Sequence, residues 1–252
     1  LDDFWGRADI EVDGSVELQQ ALRYGLFQTL QASARAEERA IAAKGLTGTG
    51  YDGHAFWDTE ALVLPVLTYI QPGCARAALA WRHSTLGLAR ERARQLGLRG
   101  AAFPWRTIRG EECSAYWPAG TAAFHVNASI ADAVRRYVQA TGDEEFERDV
   151  GVELVVETAR LWRSLGHWRD GATFCIDGVT GPDEYSAVVD NNVYTNLMAA
   201  MNLRAAAESA GRQPGAAAAL GVTQDEVESW RAAADAMYVP YDEHLGIHPQ
   251  DQ

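Results

Sequence analysis

Lysine and cysteine are nearly missing. Lys44 is the one lysine among 22 basic residues, and only three cysteines occur in 252 residues. Cys74, Cys113 and Cys175 are far apart and odd in number, so they make neither a disulfide framework nor a Cys-x-x-Cys metal site. A reducing, cytoplasmic setting is expected. Positive charge is scarce too: 35 acidic residues leave a formal net charge of −13. No basic stripe is available for nucleic acid, and no Lys/Arg-rich amphipathic face for a membrane surface. No apolar run approaches the ~20 residues that span a bilayer. A signal peptide is also lacking, and the chain starts at Leu1 rather than methionine, as an excised part of something longer would. What is present is 47% hydrophobic and 23% charged residues, enough for one large domain or two small ones.

The hydrophobic period is helical almost throughout. Asp13-Gly14-Ser15 offers caps for a helix over about 16–43, with Leu18, Leu22, Leu26 and Leu30 on one face. The pattern predicts helices over about 58–70 and 73–97, 121–140 and 144–166, then 190–211 and 223–237. Strand candidates are short: Ile10–Val12 and Thr173–Asp177. Short turns close the helix pairs, and long segments at about 44–57, 98–120 and 167–189 separate them. Long structureless loops in a compact domain are usually functional. Their recurrence roughly every 60 residues predicts an array of helical hairpins with every long loop at one end, either closed as an α/α toroid or open as a solenoid.

Loop one contains Gly48-x-Gly50-x-x-Gly53. A dinucleotide site needs a strand before that motif and a helix directly after it, within βαβ units, and none is predicted here. No GK[ST] follows for a phosphate loop. His244 and His248 stand four apart, but Gly246 and Pro249 argue against the helix that would align them on a metal, so no metal site is expected. Asn127-Ala-Ser129 matches a glycosylation sequon inside a predicted helix. No Ser-His-Asp arrangement stands out. The three loops do combine aromatics with carboxylates and amides: Tyr51, Trp57 and Asp58; Trp105, Glu111 and Trp117; Asp183, Glu184, Tyr185 and Asn191. Aromatic faces stack on sugar C–H faces, and carboxylates, amides and arginines grip hydroxyls, which suits a neutral polyhydroxylated ligand. Glu184 follows the sharp turn Gly181-Pro182 and sits beside Asp183. A neighbouring negative charge raises a carboxyl pKa, as the proton donor of glycoside cleavage requires.

Tyr51-x-Gly53-His54-x-Phe56-Trp57-Asp58-Thr59-Glu60 resembles a signature of glycoside hydrolase family 65. So do Gly178-Val-Thr-Gly-Pro-Asp-Glu184-Tyr185, Asp190-Asn-Asn-x-Tyr194-Thr-Asn196, the stretch from Gly110 to Gly120, and His125-Val-Asn127. The resemblance runs from about 43 to 251. It implies an (α/α)6 barrel, present here in part: residues 16–252 would be its N-terminal portion and residues 1–15 a linker into it. The family's N-terminal β-sandwich and its phosphate-binding residues would lie outside this chain. Six hairpins at roughly 60 residues each need about 360 residues. A lone partial barrel is expected to aggregate, form homo-oligomers or be inactive.

By the same resemblance Glu184 matches the general acid, Trp57 and Asp58 hold the non-reducing glucose, and Trp105, Glu111 and Tyr185 line the site. The implied reaction is inverting phosphorolysis of an α-glucosyl disaccharide of the trehalose, maltose or kojibiose type. Inorganic phosphate is the co-substrate, and no cofactor is needed. A hydrolase of the acid-trehalase kind is the alternative, needing a second carboxylate to activate water. A non-catalytic sugar-binding helical module is the third.

Overall fold

The computed structural model describes residues 1–34, 36 and 39–252. Among them the fold is all-α, apart from one two-stranded ribbon. The helices are α1 (Asp2–Ala8), α2 (Val16–Ser33), α3 (Leu64–Ile70), α4 (Pro72–Ser84), α5 (Leu86–Gln95), α6 (His125–Thr141), α7 (Glu144–Phe146), α8 (Val152–Leu165), α9 (Val193–Arg212), α10 (Pro214–Ala219) and α11 (Gln224–Asp235). Wide π-type turns at Thr59–Val63 and Glu147–Gly151 lead into α3 and α8. Strands β1 (His167–Arg169) and β2 (Thr173–Cys175) pair antiparallel, with His167 opposite Cys175.

Two layers of helices build the core. α3, α6 and α9 are neighbours in one layer, since α6 packs on both α3 and α9; α8 and α11 lie behind them. Each helix of the front layer follows a long loop, and contacts among Trp57, His125 and Tyr194 bring the three N-termini to one end. α6 is buried nearly all round, from His125 and Val126 to Val134 and Tyr137. α9 meets its neighbours through alanines, among them Ala199, Ala206 and Ala210, which allow close approach. Asn202 of α9 ties this helix to α8 through both ends of its amide. Trp162 Nε1 donates to Asn202 Oδ1 at 2.9 Å, and Asn202 Nδ2 donates to the Val155 carbonyl at 3.2 Å.

Several sequence expectations need correction. The first long helix ends at Ser33 rather than near 43; positions 35, 37 and 38 of that stretch lie outside the described residues. Ser33 Oγ bonds back to the Leu30 carbonyl, a local alternative to continuing the helix. Beyond it the backbone serves loop one instead: the Ala43 N–H donates to the His54 carbonyl, and Thr59 Oγ1 donates to that of Ile41. Ile10–Val12 is no strand, because the Gln19 side chain takes the Val12 N–H and donates to the Ile10 carbonyl. The 73–97 helix is broken at Thr85, whose hydroxyl donates to the Arg82 carbonyl. Within the segment expected to be a linker, Asp2–Ala8 is helical. Asn127 of the sequon is fully buried, with its amide held by Phe103 and Phe124, so no glycan fits there.

Candidate active site

The parallel front-layer helices bring together residues far apart in sequence. Trp57 leads into the turn before α3, His125 opens α6, and Tyr194 lies in the first turn of α9. Their rings meet edge to face: Trp57–His125 at 4.7 Å, Trp57–Tyr194 at 5.9 Å and His125–Tyr194 at 5.9 Å between centroids. Sequence reasoning placed His125 and Tyr194 in family motifs without giving them a role. Their convergence depends on helix packing, which periodicity does not report.

Loop three carries Glu184. The loop is pinched at its base by an antiparallel bridge between Val179 and Val189. Thr180 ties it to loop two, its N–H donating to the Ala122 carbonyl and its hydroxyl to that of Ala119. Gly181 is required on steric grounds, since a Cβ there would lie 2.4 Å from Asn192 Nδ2. Asn192 in turn caps α9, accepting from the Thr195 N–H at 3.0 Å. Asp183 Oδ1 accepts from the Tyr185 N–H at 3.1 Å, fixing the turn at the tip. Glu184 is solvent-exposed, yet partial burial, then the negative charges of Asp58 and Asp183, hold its carboxyl above the usual carboxylate range. The larger like-charge effect comes from Asp58 of loop one, so the two loops meet electrostatically.

Loop two is organised by Glu112, which sequence reasoning passed over in favour of Glu111. Its carboxylate accepts from the Trp105 N–H at 3.0 Å and from the Ser114 hydroxyl, and it pairs with Arg92 of α5 at 3.2 Å. Arg92 also donates to the carbonyls of Ala102, Phe103 and Thr121. Trp105 is buried between Phe56 (5.1 Å) and Trp117 (4.9 Å), a post behind the Trp57 cluster.

Of the six residues singled out by sequence, Trp57, Asp58 and Glu184 converge at the loop end. Trp105 supports that end from within, while Glu111 and Tyr185 project into solvent. Neither of two large cavities is lined by Trp57, Asp58 or Glu184. One of about 740 Å³ is lined by Arg39, Trp81, Thr85 and Arg109, and one of about 700 Å³ by Trp5 and residues of α2. Among the described residues no group of three His, Cys, Asp or Glu side chains could hold a metal ion, and no helix is long and apolar enough to cross a membrane.

If Trp57 holds glucose, as its motif implies, Trp57→Ala should weaken glucose binding about tenfold or more through lost apolar contact. Calorimetric titration with glucose checks this; an unchanged dissociation constant makes Trp57 a packing residue only.

The model of the glycosyl hydrolase family 65 central catalytic domain matches residues 23–252. The chain belongs to that family. It is 64% identical over 250 residues to an uncharacterized glycosyl hydrolase of Mycobacterium tuberculosis, covering 99% of this chain and 32% of that one. It is 50% identical over 260 residues to an alpha,alpha-trehalose phosphorylase of Geobacillus stearothermophilus, covering 100% and 34%. A solved structure described as a putative kojibiose phosphorylase from human microbiome superposes with a TM-score of 0.90 at 32% identity, covering 99% of this chain and 38% of that one. The chain thus spans about a third of the length of the curated relatives it matches.

Proposed function

We propose that the protein carrying this chain is an inverting phosphorylase of an α-glucosyl disaccharide. Residues 16–252 are the N-terminal part of an (α/α)6 barrel and residues 1–15 lead into it. Glu184 gives its proton to the glycosidic oxygen, and the bond from that oxygen to the anomeric carbon breaks. A phosphate oxygen forms the new bond from the opposite face, so an α-glucoside yields β-glucose 1-phosphate and a free sugar. Phosphate arrives as an anion and needs no base carboxylate. The observation that carries this reading is Glu184 itself, on a clamped loop that reaches Asp58, the neighbour of Trp57, with partial burial first and then the charges of Asp58 and Asp183 favouring its protonated form.

Identities of 48% and 50% to trehalose phosphorylases, against 35% and 36% to kojibiose and maltose phosphorylases, support trehalose as the disaccharide. Three unpaired cysteines fit a reducing, cytoplasmic setting. The deciding experiment is trehalose consumption by the full-length protein with and without phosphate. Phosphorolysis predicts that consumption stops without phosphate and that β-glucose 1-phosphate accumulates with it. Undiminished consumption in phosphate-free buffer selects the hydrolase instead.

The pH profile offers a second check. The acid works while protonated, so activity falls as pH rises through the pKa of Glu184. Asp183→Asn keeps the acceptor that fixes the turn but removes a negative charge, which lowers that pKa. The alkaline limb of kcat/KM should therefore move to lower pH. A limb that stays in place removes Asp183 from the explanation.

A further inference from the structure

His125 is an ionisable side chain buried at the loop end, 1% exposed. Burial pushes its imidazole down to about 4, so it is neutral across ordinary working pH. The ring stands edge to face against both Trp57 and Tyr194. Its Nδ1 is almost fully buried, and no hydrogen-bond partner among the described residues reaches it. Burying a polar nitrogen without a partner is costly, and native structures rarely leave one so. Local polar groups do not supply one: Ser129 Oγ, one turn along α6, donates to the His125 backbone carbonyl instead.

A neutral imidazole has one donor and one acceptor nitrogen. It can therefore hold a sugar hydroxyl in either sense without bringing charge into the site. We propose that His125 is a hydroxyl-binding residue of the glucosyl subsite, its unpaired ring nitrogen completed by one hydroxyl of the glucose that rests against Trp57. This assignment rests on the phosphorylase reading and adds to it a specificity-determining contact. It also accounts for a histidine, rather than an apolar residue, wedged between two aromatic rings.

The test pairs substitutions with deoxy substrates in the full-length protein. His125→Phe keeps the ring packing and removes both nitrogens, whereas His125→Asn keeps a hydrogen-bonding atom near the place of Nδ1. Phosphorolysis is measured on a disaccharide whose glucosyl unit is intact or lacks one hydroxyl at a time. In the wild type, one deletion should lower kcat/KM by roughly tenfold to a hundredfold. His125→Phe should lose a similar factor on the intact substrate and be indifferent to that same deletion. His125→Asn should keep part of the discrimination. A His125→Phe enzyme within twofold of wild type, or one that still discriminates every deoxy substrate as the wild type does, overturns the assignment and leaves the phosphorylase reading standing. Should His125→Phe fail to fold, His125→Asn decides, because loss of all discrimination in a folded variant overturns it too. A wild type that consumes no α-glucoside defeats both readings together.

Discussion

Glu184→Gln is expected to lower turnover on a disaccharide by about two to four orders of magnitude, the usual worth of a positioned general acid. Glutamine matches the side chain in size and hydrogen-bonding reach but has no proton to give. Glucose binding should persist, because Trp57, Asp58 and the loop clamp at Val179 and Val189 are untouched. A substrate whose leaving group departs without protonation separates this from a general disturbance. α-Glucosyl fluoride should react with phosphate in the variant at a rate close to that of the wild type. Loss of both activities in equal measure would mean that Glu184 holds the loop together and is not the proton donor.

The second large effect lies behind the site. Glu60 and Arg82 form a two-pronged ion pair at 2.6 and 3.0 Å, with each side chain only 1% exposed. Glu60 sits two residues after Asp58 in the π-type turn, and Arg82 lies on α4 with its guanidinium over Trp81 at 5.1 Å. Removing one partner strands the other charge in the core. Arg82→Ala is expected to lower the unfolding free energy of the helical domain by about 3–5 kcal/mol, read by denaturant titration. Replacing both partners, as Glu60→Leu with Arg82→Met, should recover most of that loss, since neither charge then needs burial. A double variant as unstable as the single one would locate the cost in packing.

The three-loop plan was legible because it follows from period and loop length, and both survive in the structure. Thr173–Cys175 was legible as a strand, although its partner at His167–Arg169 was not. What escaped the sequence were local contests that side chains decide. Gln19 satisfies the backbone of residues 10 and 12 and so removes a strand, and Ser33 helps end a helix whose apolar period continues. At the site, Glu184 and Trp57 stood out as residue types beside turns. Glu112 could not be told from Glu111 by neighbourhood alone, because the choice depends on Arg92, twenty positions upstream. Trp105 was recognised as an aromatic of the right loop, but only packing shows it enclosed by Phe56 and Trp117.

The fastening of loop two has a consequence for how its surface could vary. One guanidinium, Arg92, grips three carbonyls and one carboxylate, so the segment from Ala102 to Thr121 is held by its main chain and by Glu112. Ile108, Arg109 and Glu111 on its exposed rim carry none of that fastening. The rim can change in sequence while the indole of Trp105 stays in register. A lysine at 92, with a single tetrahedral nitrogen, could not span those acceptors, which ties this freedom at the surface to an arginine beneath it.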